Sequence, residues 1–89
     1  MSLLMTFQLG FAQKTVSGTV TDTSGVPLPG ATVVVQGTSN GVTTNFDGDY
    51  SISASEGDVL VVSFVGFESA SATVGAASTY DFSLSEGNA

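Results

Sequence analysis

The stretch Val42-Thr43-Thr44-Asn45-Phe46-Asp47-Gly48-Asp49-Tyr50-Ser51-Ile52-Ser53-Ala54 decides the fold class. Before the Asp-Gly pair, Val42, Thr44 and Phe46 fall on one side of an extended chain. After it, Tyr50 and Ile52 share a side and Ser51 and Ser53 take the other. A period of two is the signature of a β-strand, where successive side chains point to opposite faces. Asp47-Gly48 is a strong short hairpin signal, because both residues tolerate the backbone angles of a tight turn. The reading predicts strands at 42–46 and 49–54, with Val42, Thr44 and Phe46 sharing one face of the first and Tyr50 and Ile52 directed inward from the second.

The same alternation continues outward in both directions. Upstream, Val16, Gly18 and Val20 oppose Thr15, Ser17, Thr19 and Thr21, which gives a first strand from Lys14. Asp22–Gly30 (DTSGVPLPG) carries both prolines; proline lacks the N–H a ladder needs, so this stretch is a turn. A second strand follows at Ala31–Gln36, with Val33 and Val35 together, and Gly37–Gly41 turns. Downstream, Glu56-Gly57-Asp58 turns into a fifth strand, Val59–Val65, apolar on both faces except at Ser63. Such a strand is covered on both sides or lies centrally in its sheet. Gly66 breaks it. A sixth strand, Glu68–Val74, sets Ala70, Ala72 and Val74 against Ser69, Ser71 and Thr73, its small residues implying a close neighbour. A seventh, Thr79–Ser85, turns Tyr80, Phe82 and Leu84 inward. No window repeats apolar residues at helical spacing. The expected fold is all-β, a seven-stranded antiparallel β-sandwich, occupying 14–85, with 86–89 as a tail.

Eighty-nine residues make room for one domain, with a net stability on the order of 5–10 kcal/mol. Without cysteine there is no disulfide to help, so the apolar core, drawn from a 42% apolar composition, must hold the fold alone. Only 10% of residues are charged, against about 25% in ordinary soluble domains. One cation, Lys14, faces eight acids, for a net charge of −7. That balance repels nucleic acid and anionic membrane surfaces, which both need clustered Lys or Arg. A polar surface of Ser and Thr points to an extracytoplasmic protein.

Residues 3–12 (LLMTFQLGFA) are an apolar run ending in small-x-small at Gly10 and Ala12, the pattern of signal-peptide cleavage before Gln13. Residues 1–13 are therefore expected to be an added start joined to a signal-peptide remnant, the basic leader region being missing. The run is far short of the roughly 20 residues a membrane span needs, and direct membrane insertion of this domain is not expected.

The residue inventory offers little chemistry. Without histidine the usual general base at neutral pH is missing, and the serines have no base to activate them. Without His or Cys most zinc and copper sites are closed. The acids Asp22, Asp47, Asp49 and Asp58 fall in turns, and nothing indicates a cleft that would hold two of them at a catalytic separation. Asn45-Phe46-Asp47-Gly48-Asp49 echoes part of a calcium loop, yet it lacks the downstream bidentate Glu and reads more simply as a turn. Phe67 beside Gly66 is read as the last core residue of a strand pair in preference to a sugar-stacking platform. No catalytic, cofactor-binding or metal-binding residue and no cofactor is expected, and the chain is not expected to be an enzyme.

Taken together, Val16-Ser17-Gly18-Thr19-Val20-Thr21-Asp22, Gly25-Val26-Pro27-Leu28-Pro29-Gly30-Ala31-Thr32-Val33, Gly37-Thr38, Gly41–Asn45, Asp47–Ile52 and Leu60–Phe67 resemble the carboxypeptidase regulatory-like domain over 14–84. The family often has Asp where Asn45 stands. The resemblance implies a transthyretin/prealbumin-like sandwich whose relatives' catalytic residues lie in a neighbouring peptidase domain. The Phe-Ala-Gln leader end and Ser63-Phe64-Val65-Gly66-Phe67 are most similar to the N-terminal extension of SusC/RagA-type TonB-dependent outer-membrane transporters. That implies an excised, non-catalytic accessory domain on the periplasmic side of the outer membrane of a Gram-negative bacterium. It would belong to an importer of glycans or peptides, with a protein partner in the cell envelope and no nucleic acid. An accessory sandwich of an adhesin or secreted hydrolase, and a carbohydrate-binding module, are the alternatives. The low charge leaves the sheet edges poorly guarded, and some sheet edge is expected to make protein contacts.

Overall fold

A computed structural model describes residues 13–87. The proposed leader and the last two residues of the tail lie outside that range. Within it the chain forms seven strands and no helix: β1 (Lys14–Asp22), β2 (Thr32–Val35), β3 (Gly41–Thr43), β4 (Asp49–Ala54), β5 (Val59–Ser63), β6 (Ala70–Thr73) and β7 (Phe82–Leu84). They build a three-stranded sheet in the order β4-β1-β7 and a four-stranded sheet in the order β3-β2-β5-β6. β5 lies between β2 and β6, which accounts for its apolar run.

The core fills the space between the sheets with the residues the alternation singles out. Val16 and Val20 of β1, Val33 of β2, Leu60 and Val62 of β5, Val74 and Leu84 are essentially sealed from solvent. Tyr50, Ile52 and Ala54 close the layer from β4, and Phe82 from β7. Each buried Val, Leu, Ile or Phe stabilises the fold by about 1.5–3 kcal/mol relative to exposure, and in a chain with no cysteine this burial acts without disulfides.

Three sequence expectations are corrected. The β3–β4 connection is not a hairpin: β3 pairs with β2, with Val33 opposite Val42, while β4 pairs with β1, with Val16 opposite Ile52. The turn at Asp47-Gly48 therefore carries the chain from one sheet to the other. The crossing begins at Thr44, whose backbone and hydroxyl bond to the 28–31 loop instead of a neighbouring strand. As a result Phe46, expected in the strand on one face with Val42 and Thr44, lies beyond the end of β3 and stands 90% exposed, while Thr44 is buried. Similarly β5 stops at Ser63, and Val65, expected within the strand, is 92% exposed at the turn before Gly66. Finally, the sandwich is not wholly antiparallel, because β7 runs parallel to β1 with Val20 opposite Phe82 and Asp22 opposite Leu84.

Two glycines are dictated by this geometry. At Gly18 a Cβ would sit 1.8 Å from the Tyr80 carbonyl oxygen, because the segment leading into β7 runs hard against β1 there, bonded to Ser17. Gly48 adopts φ of 79° while its carbonyl accepts from Val20 N–H, and a Cβ there would meet the Val20 carbonyl at 2.6 Å.

Candidate functional site

Among the polar residues weighed for chemistry, Asp22, Asn45 and Asp58 brace turns and Asp49 braces β4 against β1. Asp22 Oδ1 accepts from the amides of Ser24 and Val26, fixing the turn before Pro27. Asp58 Oδ2 accepts from Ser55 N–H. Asp49 Oδ1 accepts from the Thr19 hydroxyl at 2.7 Å, and Asp81 Oδ1 takes the Thr19 amide at 2.9 Å. The Asp81 carboxylate thus substitutes for a ladder carbonyl beside β1. Among the described residues, no group of three or more His, Cys, Asp or Glu could hold a metal ion. Asn45 Oδ1, the first oxygen of the calcium-like run, accepts from the amides of Asp47 and Asp49. Lys14 Nζ donates to the carbonyls of Gly75, Ala76 and Ala77 at 2.8–3.0 Å, tying the start of β1 to the loop after β6.

Tyr50 reaches the same region from β4. Its hydroxyl donates to the Tyr80 carbonyl, and the Tyr80 hydroxyl accepts from Gly75 N–H. Burial, reinforced by the nearby Asp81 charge and Tyr80, pushes the Tyr50 phenol up to about 12. A group held neutral so far above physiological pH is a structural strut, without the near-neutral pKa that proton transfer favours.

Phe67 is half-buried and packs on the core, its ring 5.6 Å from that of Phe64 in a tilted pair. This packing against the core agrees with the placement expected from the sequence.

What the fold leaves open is an apolar surface at the end where the chain crosses between sheets. Pro29, Gly30, Thr44, Asn45 and Phe46 line one groove, of about 510 Å³. Gly30, Thr32, Ser63, Phe64 and Val65 line a second, of about 340 Å³. Gly30 is common to both, so Phe46 and Val65 stand on a single surface. Thr32 and Ser63, directly opposed across β2 and β5, connect it to the outer face of the four-stranded sheet. None of the four strands of that sheet contains an ionisable residue. Sequence reasoning missed this site because it assigned Phe46 and Val65 to strands. The usable signals were the turn sequences that follow each of them, Asp47-Gly48 and Gly66.

The CarboxypepD_reg-like domain family model matches residues 16–88. Over 59 residues, 65% of this chain, the sequence is 54% identical to the TonB-dependent receptor SusC of Bacteroides thetaiotaomicron, of which that stretch is 6%. Two TonB-dependent receptors of Formosa agariphila match 82% of the chain each, at 44% and 39% identity, and 7% of their own lengths. The chain thus spans less than a tenth of the length of these curated relatives.

Proposed function

Since the chain belongs to the CarboxypepD_reg-like domain family, we propose that it serves as the non-catalytic N-terminal accessory domain of a TonB-dependent outer-membrane importer of glycans or peptides. It sits on the periplasmic side, ahead of the plug and the barrel, and works as a structural and interaction module. The proposed boundaries are those of the sandwich, 14–85, preceded by a secretion leader that is cleaved before Gln13. The rest of the transporter is its first partner.

The observation that carries this reading is the 54% identity to a TonB-dependent receptor along a stretch that is only 6% of it. A small unit that keeps its own core and recurs within far longer receptors is an appended module. The structure is consistent with such a role: Asp22 and Asp58 brace their own turns, Asp49 braces β4 against β1, and Phe46 and Val65 stand exposed around Gly30.

The test is an in-frame deletion of this domain from a full-length receptor of this family. The shortened receptor is expected to reach the outer membrane at its normal level and bind nutrient at the cell surface, while uptake falls several-fold. A cysteine placed in an exposed turn of the domain should react with a membrane-impermeant reagent only after the outer membrane is opened. Unchanged uptake, or labelling in intact cells, would overturn the assignment.

A further inference from the structure

Large apolar side chains that are almost wholly exposed are ordinarily scattered singly over a monomer. Here the two such side chains among the described residues, Phe46 and Val65, flank Gly30 and border adjoining apolar grooves. Phe46 is held out by construction, because the Asn45 side chain locks the turn it stands on. Val65 is held out in the same way by the Phe67 N–H bonded back to the Phe64 carbonyl.

The chemistry of the rim narrows what can cover this surface. Asp47 follows Phe46 and Glu68 follows Phe67, both on exposed backbone, and the sheet beneath is uncharged. The one cation, Lys14, belongs to the other sheet and is engaged by three carbonyls. We propose that the Phe46–Gly30–Val65 surface is a docking site for a protein segment whose apolar side chains are flanked by lysine or arginine. Apolar side chains fill the grooves, an exposed aromatic anchors the contact, and the cations meet a rim that has none of its own.

Complementarity of charge also argues against other occupants. A second copy would bring a further net charge of −7 and no free cation, and an anionic lipid surface is repelled for the same reason. A cationic partner is instead drawn in by the field of the whole chain and released as salt rises. This inference goes beyond the proposed place in a transporter and stands on the surface chemistry alone, so either can fail without the other.

The experiment titrates two short synthetic peptides into the isotope-labelled 89-residue chain, followed by NMR. Both peptides carry the same apolar centre, one flanked by lysines and the other by glutamates. The lysine peptide is expected to shift the amides of Gly30, Phe46, Phe64 and Val65, and the glutamate peptide to leave them unmoved. The double substitution Phe46→Ser and Val65→Ser, at positions that contribute no buried area, should weaken the lysine peptide about tenfold or more. Asp47→Asn with Glu68→Gln should weaken it less and flatten its salt dependence. Shifts spread over the acidic loops but absent from the grooves would overturn the proposal, as would equal binding of both peptides. So would sedimentation showing self-association through Phe46, or Phe46-dependent binding to phosphatidylcholine vesicles in place of the peptide.

Discussion

The Tyr50 hydroxyl donates to the Tyr80 main-chain carbonyl at 2.6 Å, and the pair meets over Gly18, where no side chain fits between them. This bond holds the segment leading into β7 against both β4 and β1. Because the phenol is pushed up to about 12 in the folded state, the folded and unfolded chains titrate differently. The unfolded chain releases the Tyr50 proton near pH 10 while the folded chain retains it, so stability is unaffected below that pH and falls between about 10 and about 12. Urea unfolding should show this decline, and Tyr50→Phe should remove a measurable part of it. At neutral pH the same substitution should cost about 1 kcal/mol from the lost hydrogen bond. Equal alkaline slopes for the two proteins would contradict the assignment.

Gly18→Ala tests the close approach itself. Its Cβ would fall inside the Tyr80 carbonyl, so the backbone of β1 or of the segment before β7 must move. A loss of about 3 kcal/mol is expected, at the upper end of overpacking costs. Gly75→Ala is the matched control: its nearest neighbour, the Tyr80 hydroxyl, is at an ordinary 3.8 Å. It should change stability by less than about 0.5 kcal/mol. Denaturant midpoints for the two variants decide the matter.

Thr44 replaces a strand pairing with side-chain bonds at the point where the chain changes sheets. Its buried hydroxyl donates to the Leu28 carbonyl and accepts from Ala31 N–H. Thr44→Val keeps the shape and strips both bonds, and is expected to destabilise by about 2 kcal/mol, because an N–H and a C=O lose their partner inside the fold. Thr44→Ser retains the hydroxyl and should recover most of that loss.

Asn45→Ala should cost about 1 kcal/mol, since it removes an acceptor for the amides of Asp47 and Asp49. Asn45→Asp preserves the acceptor and should fall within about 0.5 kcal/mol of the parent. Thermal melts with and without calcium should coincide for both the parent and Asn45→Asp. A rise in midpoint with calcium would make the turn a cation site.

Strand positions and core faces were legible in the sequence because alternation is local. Val16 and Val20, Val33 and Val35, Tyr50 and Ile52, Phe82 and Leu84 all face inward as their spacing requires. Pairing was less legible, because it depends on where distant segments meet. Asp47-Gly48 is the same dipeptide whether it closes a hairpin or crosses between sheets, and only the bonds from Thr44 to the 28–31 loop decide which. The parallel partnership of β1 and β7 spans nearly the whole chain and leaves no local trace. The apolar surface stayed hidden for a related reason. Phe46 and Val65 continue the alternation of their strands, and only the early endings at Thr43 and Ser63 turn them outward.

Among the described residues, the first and last strands, β1 and β7, lie side by side and point the same way. Tension applied at the two ends of this domain therefore slides β1 along β7 and strains their rungs together, where an antiparallel terminal pair would unzip rung by rung. Additional rungs at Ser17, bonded to Ser78 and Tyr80, lengthen the seam, and the Lys14 ammonium rivets its start to the 75–77 loop. Pulled in an optical trap, the domain should give way in one abrupt rupture at a force set by this seam. Below that force, a polypeptide built in this way passes a mechanical load from β1 to β7 without coming apart.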